Sequence, residues 1–337
     1  MLDQAAHEPW LRQDWLAHAT AWIDGALEHN GLRVSGAIER LHAGRWSTVL
    51  RAPTRDGDVY FKASVPLPTY EPALTAALAR RRPDCIVRVL AADAQRGWLL
   101  TAHGGMRLRE VIRSDRDLGH WLRLLPMYAA LQLEMGGRVD ELLALGVPDR
   151  RLALLPAGYE RLLADRAALH LGQPWGLTLE EQQGLRMLIS RFTALCSELA
   201  GYQLPATLHH GDLHDGNVLV HGGRYRFFDW GNSVVAHPFF SLRTTLKSAR
   251  YTFDLGDDAG ELARLRDCYL EPWLRYASRR DLLVALELAH SVGMVSNALT
   301  WYDVLSRPAI PHREDDDEPV PRLLREFLHA QTNMAAR

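Results

Sequence analysis

The spacing of apolar positions changes twice along the chain. Across residues 9–30, Trp10, Trp15, Ala19, Trp22, Ile23 and Ala26 recur at helical spacing, and Asn30-Gly31 supplies a stop. From Leu32 to Ser64 the character changes, and residues 34–41, 46–52 and 59–63 predict three strands. Arg55-Asp56-Gly57 reads as the hairpin turn between the last two. A short helix is predicted over 69–82, ended by Pro83, and two more strands over 86–92 and 97–101. These elements predict a small five-stranded antiparallel sheet with one helix.

Ala102-His103-Gly104-Gly105 breaks the pattern, and helical spacing dominates beyond it. Helices are predicted over 107–113, 117–136, 156–171, 179–200, 238–251, 259–277, 280–305 and 321–331. One segment interrupts them. Val218-Leu219-Val220, then His221-Gly222-Gly223, then Tyr225-Arg226-Phe227-Phe228 reads as strand, tight turn and strand. No internal repeat is present. The expected fold class is therefore α+β and bilobal, with a small sheet lobe and a larger, mostly helical lobe. The predicted division is an N-terminal helical extension at 1–30, a nucleotide-binding N-lobe at 31–101, a hinge at 102–106 and a helical C-lobe at 107–337. A cleft follows at residues 101–106, and clefts between lobes are the usual home of nucleotide sites.

Composition narrows the function classes. Hydrophobic residues make up 47% of the 337 and charged residues 24%, so a full core is expected. A net charge of −2 supplies no basic field for general nucleic-acid or membrane binding. Cys85, Cys196 and Cys268 lie far apart without metal spacing, and read as small buried apolar residues. The first ten residues carry acid and no apolar run, which is not the pattern of a signal peptide. No stretch is expected to reach the roughly 18 apolar residues of a membrane span, so the cytoplasm is the expected location. The acidic run Glu314-Asp315-Asp316-Asp317-Glu318, with prolines on both sides, reads as a solvated loop that would alternatively attract a cationic acceptor.

The densest chemistry lies in His209-His210-Gly211-Asp212-Leu213-His214-Asp215-Gly216-Asn217, followed by Phe228-Asp229-Trp230-Gly231. Asn217 precedes the first hairpin strand and Asp229 follows the second. A tight antiparallel hairpin returns the chain to its starting end, with strands roughly 4.8 Å apart. Asn217 and Asp229 can therefore reach one ion. A carboxylate and an amide oxygen form a hard, oxygen-only pair that suits Mg²⁺, an ion that keeps waters and takes phosphate oxygens. Asp212, on the intervening loop, is placed to face a γ-phosphate and orient an acceptor hydroxyl. Phosphoryl transfer needs a metal, a lysine on the phosphates and a carboxylate that positions the nucleophile. Lys62 supplies the lysine from the strand Val59-Tyr60-Phe61-Lys62-Ala63, and a buried ammonium there needs a partner. Glu71, at the start of the next helix, is the nearest in sequence, although an acid in a first helical turn is also favoured by the helix dipole alone.

The ordered set Lys62, Glu71, His210-Gly211-Asp212, Asn217 and Asp229-Trp230-Gly231 resembles the aminoglycoside phosphotransferase and choline kinase superfamily, which has the protein-kinase-like fold. The matching residues span 62–231, and the lobe layout extends the resemblance over most of the chain. The resemblance implies ATP and Mg²⁺ as cofactors and a small-molecule hydroxyl as acceptor. It implies Asp212 as catalytic base, Asn217 and Asp229 as magnesium ligands, and Lys62 with Glu71 as the phosphate-positioning pair. Thr101 to His103 would offer backbone to adenine, with Leu99, Leu219 and Phe228 as apolar walls.

The loop Leu41-His42-Ala43-Gly44-Arg45-Trp46-Ser47-Thr48 departs from the pattern, with one glycine in place of a glycine-rich run. Gly44 is either an ordinary turn residue or part of a phosphate cover, to which Ser47 or Thr48 would add a hydroxyl. Three alternatives stand beside this reading. One is a catalytically silent nucleotide-binding module. Another is a zinc hydrolase on His209, His210 and His214. Within the kinase class, the acceptor is an antibiotic or, for a metabolic kinase, a sugar, amino alcohol or nucleoside.

Overall fold

The computed structural model describes residues 8–65, 70–306 and 318–335. Helix α1 (Trp15–His29) precedes strands β1 (Glu39–Ala43), β2 (Ser47–Thr54) and β3 (Gly57–Ser64). Helix α2 (Tyr70–Arg81) leads to β4 (Val89–Asp93) and β5 (Trp98–Ala102). The five strands form one antiparallel sheet in the order β1-β2-β3-β5-β4. Alternation decides its two faces. Val59, Phe61 and Ala63 of β3 are buried with Leu50, Leu100, Trp15, Ile23 and Leu27, so α1 covers the outer face. Burying each large apolar side chain there stabilises by roughly 1.5–3 kcal/mol. Tyr60, Lys62 and Ser64 take the opposite face, which looks into the cleft.

Beyond Ala102, the two-residue strand β6 (Met106–Arg107) precedes α3 (Leu108–Asp115), α4 (Gly119–Gly136), α5 (Val139–Ala144), α6 (Leu155–Ala164), α7 (Leu179–Met187) and α8 (Ile189–Ala200). Short strands β7 (Thr207–His209), β8 (Val218–His221), β9 (Arg224–Phe227) and β10 (Val234–Ala236) carry the chemistry-rich segment. Helices α9 (Phe240–Phe253), α10 (Gly260–Leu270), α11 (Arg279–Leu305) and α12 (Pro319–Ala335) complete the lobe. β8 and β9 pair through the two-residue turn Gly222-Gly223, with φ of 54° and 74°. A two-residue turn with both central residues left-handed matches the strand twist, and glycine adopts it without a Cβ penalty. β6 adds to the other side of β8, so the hinge docks on this hairpin.

The α+β, two-lobed architecture expected from the pattern is the one observed, with local departures. The helix over 9–30 begins as a single 3₁₀ turn at Pro9–Leu11, and α1 starts only at Trp15. The strand expected over 34–41 begins only at Glu39 and runs on to Ala43, preceded by an isolated bridge at Val34. The helix over 156–171 stops at Ala164, because Asp165 Oδ1 accepts the Ala167 and Ala168 N–H groups in a side-chain turn. The helix over 179–200 is two helices. The Tyr159 hydroxyl donates to the Leu185 carbonyl, the acceptor that Ile189 would use in a continuous helix. The helix over 259–277 ends at Leu270 in a 3₁₀ turn through Pro272, which lacks an N–H.

Helix α11 corrects the expectation about membrane spans. It is 27 residues long and carries an 18-residue window of mean hydropathy 1.5. Its buried Ala285, Ala289, Val292 and Val295 place it in the helical core. The acidic run lies outside the described residues except for Glu318. That residue is buried and sits 2.9 Å from His170, so this end of the run is not solvated. Cys85 and Cys196 are buried as expected and Cys268 is half-buried; burial pushes the Cys85 thiol up to about 12.

Candidate active site

Lys62 sits at the centre of the cleft. The cleft-facing half of β3 and the first turn of α2 meet there. Lys62 Nζ lies 2.7 Å from Glu71 Oε1 and 2.7 Å from Asp229 Oδ1. The Ser64 hydroxyl donates to Glu71 Oε2 at 3.0 Å, so both Glu71 oxygens are engaged. Glu71 is only 3% exposed. An acid this buried needs the ammonium, whereas a residue serving the helix dipole alone would face water. Burial pushes the Lys62 ammonium down, but Asp229 and Glu71 override it and hold it above its ordinary value. Burial likewise pushes the Asp229 carboxyl up, and Lys62 reverses this to leave it below the usual range.

Asp229 has φ 65° and ψ 63°, a left-handed conformation that few non-glycine residues adopt. The 43% exposure of its side chain leaves part of the carboxylate reachable from the cleft. The Phe228 N–H donates to the Asn217 carbonyl at 3.3 Å, so the hairpin brings residues 217 and 229 to one end. The Asn217 amide nitrogen donates to the Asp212 carbonyl (2.9 Å) and to Asp212 Oδ2 (3.3 Å). The amide oxygen is then the Asn217 atom left for a cation. Asn217 and Asp229 thus offer two oxygen donors of the kind magnesium takes.

The loop that carries Asp212 is held from below. Gly211 has φ 82°, and a Cβ there would come within 2.0 Å of the Asn232 carbonyl. The His210 N–H donates to the Tyr128 hydroxyl at 3.1 Å. Its ring accepts from the Asp212 N–H at Nδ1 (3.4 Å) and reaches the Phe228 carbonyl from Nε2 (3.0 Å). Those partners require the neutral Nε2–H form, and burial indeed pushes the imidazole down. His209 Nδ1 lies 2.6 Å from Ser241 Oγ, and burial pushes its imidazole down to about 3. With these rings turned to separate partners, and no cluster of three or more His, Cys, Asp or Glu side chains among the described residues, the zinc alternative is corrected. His214 and Asp215, left without a role by sequence, receive one. His214 Nδ1 accepts the Gly216 N–H (2.9 Å), and Nε2 lies 3.4 Å from Asp212 Oδ2. Asp215 is fully buried against Arg109 Nε and the Thr252 hydroxyl, both at 2.7 Å, and ties the loop to α3 and α9.

The loop over the cleft is a tight β1–β2 turn. The Gly44 N–H donates to the Ser47 carbonyl at 2.9 Å. Thr48 is buried and its hydroxyl donates to the His42 carbonyl at 2.7 Å. This corrects the expectation that Thr48 offers a hydroxyl to phosphate, and leaves Ser47. The Arg45 guanidinium lies over the Trp46 ring at 4.7 Å. Trp46 in turn meets Trp301 of α11 edge-on, with centroids 6.1 Å apart. At the hinge, the Ala102 N–H donates to the Arg88 carbonyl (2.9 Å) and the His103 N–H to the Asp58 carbonyl (3.1 Å). Both N–H groups thus already have partners within the protein. Thr101 pairs with Tyr60 within the sheet, and its hydroxyl lies 3.4 Å from the Tyr60 carbonyl. Leu99 stands opposite Lys62 on β3, and Leu219 packs against Gly104.

A family model described as the phosphotransferase enzyme family matches residues 71–282. The chain belongs to that family. Solved structures similar to this phosphotransferase include a choline/ethanolamine kinase family protein from Mesorhizobium loti, 18% identical, with 94% of each chain covered and a TM-score of 0.60. A Plasmodium vivax ethanolamine kinase is 12% identical over 87% of this chain and 82% of the other, at a TM-score of 0.61. A macrolide 2′-phosphotransferase type I is 13% identical over 91% and 96%, at a TM-score of 0.52. At these identities the likeness is one of fold, and the fold is kinase-like. Curated proteins give no significant match.

Several contributors escaped the sequence reading. Ser64 lies two residues from Lys62, and strand alternation alone puts both on one face. Tyr70, next to Glu71, sends its hydroxyl to the Gly231 (2.6 Å) and Ser233 (2.9 Å) carbonyls, and so locks α2 to the segment after Asp229. A cavity of about 230 Å³ opens beside Asp212, lined in part by Asn232, Arg243, Lys247, Trp301 and Arg322. Its walls come from α9, α11 and α12, and no local motif joins them.

Proposed function

We propose that this phosphotransferase moves the γ-phosphate of ATP, with magnesium, onto a hydroxyl of a small molecule. The observation that supports it is the meeting of Lys62, Glu71 and Asp229 at 2.7 Å, on the hairpin end shared with Asn217 and Asp212. Lys62 lies on the nucleotide phosphates, aimed by Glu71. Asn217 and Asp229 hold the metal, which when bound neutralises charge on the transferring group. Asp212 orients the acceptor hydroxyl and takes its proton. The base lies against Leu99, Leu219 and Phe228 near Thr101 and His103, and the Gly44 turn with Ser47 covers the phosphates. Residues 31–101 supply the nucleotide side, 102–106 the hinge and 107–337 the catalytic loop and acceptor side, in a cytoplasmic protein. The fold likeness to proteins named for choline, ethanolamine and macrolides supports a small-molecule alcohol as acceptor.

The test is ADP release from ATP and Mg²⁺ across a set of hydroxyl acceptors, measured above the no-acceptor background. Asp229→Ala, which removes the one carboxylate of the metal pair, should abolish acceptor-dependent release while the protein stays folded. Full activity of this variant at low millimolar magnesium would reject the assignment.

A further inference from the structure

The two ring nitrogens of His214 have different neighbours. Nδ1 accepts the Gly216 N–H at 2.9 Å and faces Arg109 Nη2 at 3.3 Å. A backbone N–H and a guanidinium only donate, so Nδ1 carries no proton and the ring proton sits on Nε2. Asp215 Oδ1 is 3.9 Å from Nδ1, beyond hydrogen-bond reach, and already accepts from Arg109 Nε at 2.7 Å. Nε2 lies 3.4 Å from Asp212 Oδ2, the oxygen that the Asn217 amide also reaches at 3.3 Å. Among the described residues, no hydrogen bond engages Asp212 Oδ1, and the Asp212 side chain is 41% exposed beside the cavity. The ring has a firm seat. A Cβ on Gly216 would come within 2.7 Å of His214 Cε1 and 3.2 Å of Arg109 Cζ, so the bare backbone there lets ring and guanidinium close over the loop. Fully buried Asp215 anchors that guanidinium from behind.

We propose that His214 is a positioning residue, whose Nε2–H joins the Asn217 amide in holding Asp212 Oδ2 and leaves Oδ1 as the oxygen that takes the acceptor proton. The inference rests on the reading of Asp212 as the base, and adds which oxygen acts and what aims it. A carboxylate free to rotate presents either oxygen, and two donors on one oxygen remove that freedom. The 3.4 Å separation is long, and such contacts in a free enzyme often tighten once substrate is bound. In the transfer step the acceptor oxygen bonds to the γ-phosphorus. The bond from that phosphorus to the β–γ bridging oxygen breaks, ADP leaves with the electron pair, and the hydroxyl proton passes to Asp212 Oδ1.

Two substitutions separate this role from a purely structural one. His214→Asn keeps an acceptor for the Gly216 N–H where Nδ1 stood, but its amide stops short of Asp212. His214→Gln is longer and brings an amide N–H to the place of Nε2. Rates are read with ATP, Mg²⁺ and the alcohol that releases most ADP, or with water as the nucleophile if no alcohol raises the background. His214→Asn should lower kcat by roughly tenfold to a hundredfold, with the KM for ATP and ATP affinity by calorimetry little changed. His214→Gln should recover most of that loss. Added to Asp212→Asn, His214→Asn should cost little more, because it acts through the carboxylate. Parental kcat in His214→Asn, lost ATP affinity with kcat kept, no recovery in His214→Gln, or additive losses in the double variant each overturn the inference. Parental turnover in Asp212→Asn would instead remove the reading of Asp212 beneath it. Nitrogen NMR of the unaltered, histidine-labelled chain in mildly alkaline buffer reads the ring directly. The His214 proton should sit on Nε2, and a proton on Nδ1 overturns the inference whether or not the variants fold.

Discussion

The two sides of the cleft are built on different physical terms. On the proposed nucleotide side, Lys62, Glu71, Ser64 and Asp229 pair with one another, and Glu71 is almost fully buried. On the proposed acceptor side, Arg243, Lys247 and Arg322 line a cavity beside Asp212, and Lys247 is exposed. A mutually paired set around a buried carboxylate is costly to disturb and holds one geometry, which would suit phosphates common to every turnover. A set with exposed members costs less to alter, so in the proposed reading specificity can change there without loss of the catalytic frame. The contrast teaches that, in the proposed reading, chemistry and specificity have separate structural supports.

The largest break in that contrast should come from Asp212, which stands between the two sides. Asp212→Asn keeps shape but removes the proton acceptor. General base catalysis contributes roughly 10²- to 10⁴-fold, and turnover should fall by that much or more with ATP affinity little changed. Loss of ATP binding with turnover retained would move Asp212 to the nucleotide side. Glu71→Gln comes next. Lys62 keeps Asp229 but loses its buried partner, and breaking such a pair costs about 3–5 kcal/mol at most. The KM for ATP should rise by roughly tenfold or more. A neutral outcome would reduce Glu71 to a helix-end acid.

Acidification probes both sides at once. Burial holds the His209 and His237 imidazoles down to about 3, and His290 down to about 4. In the unfolded chain they titrate near about 6.5. The unfolded state therefore binds more protons below that pH, and stability falls as pH drops from about 6.5 toward 4. Each histidine contributes up to about 1.4 kcal/mol per pH unit. Chemical unfolding at pH 7, 6 and 5 measures the slope, and a flat profile would mean that these rings gain protons without unfolding. The smallest effect concerns the contact that joins the two sides. Trp46 of the β1–β2 turn touches Trp301, which lines the acceptor cavity. A double-mutant cycle on Trp46→Ala and Trp301→Ala should give a coupling of about 0.5–1.5 kcal/mol. Additive losses would separate the two sides entirely.

Most of the fold was legible because period marks element type: alternation for the sheet, helical spacing for the C-lobe, and Gly222-Gly223 for the hairpin turn. Breaks imposed from outside were not legible. Nothing within 179–200 announces the interruption at Leu188, since the competing hydroxyl belongs to Tyr159. Short strands such as β6 and β7 were missed because two or three residues carry no period.

By itself, the sequence determined the ordered set Lys62, Glu71, Asp212, Asn217 and Asp229, since a hairpin and a strand–helix pair bring near neighbours together by local geometry. Only the tertiary structure decided that Lys62 bridges Glu71 and Asp229, 167 residues apart along the chain in the second case. It alone decided that Thr48 is spent on His42, and that the N–H groups of Ala102 and His103 are spent on their neighbours. It alone gathered Arg243, Lys247 and Arg322 around one cavity. The reason is the range of the forces involved. Backbone preference and side-chain period act over a few residues, whereas a pocket is formed by helices whose packing depends on every apolar face in the lobe.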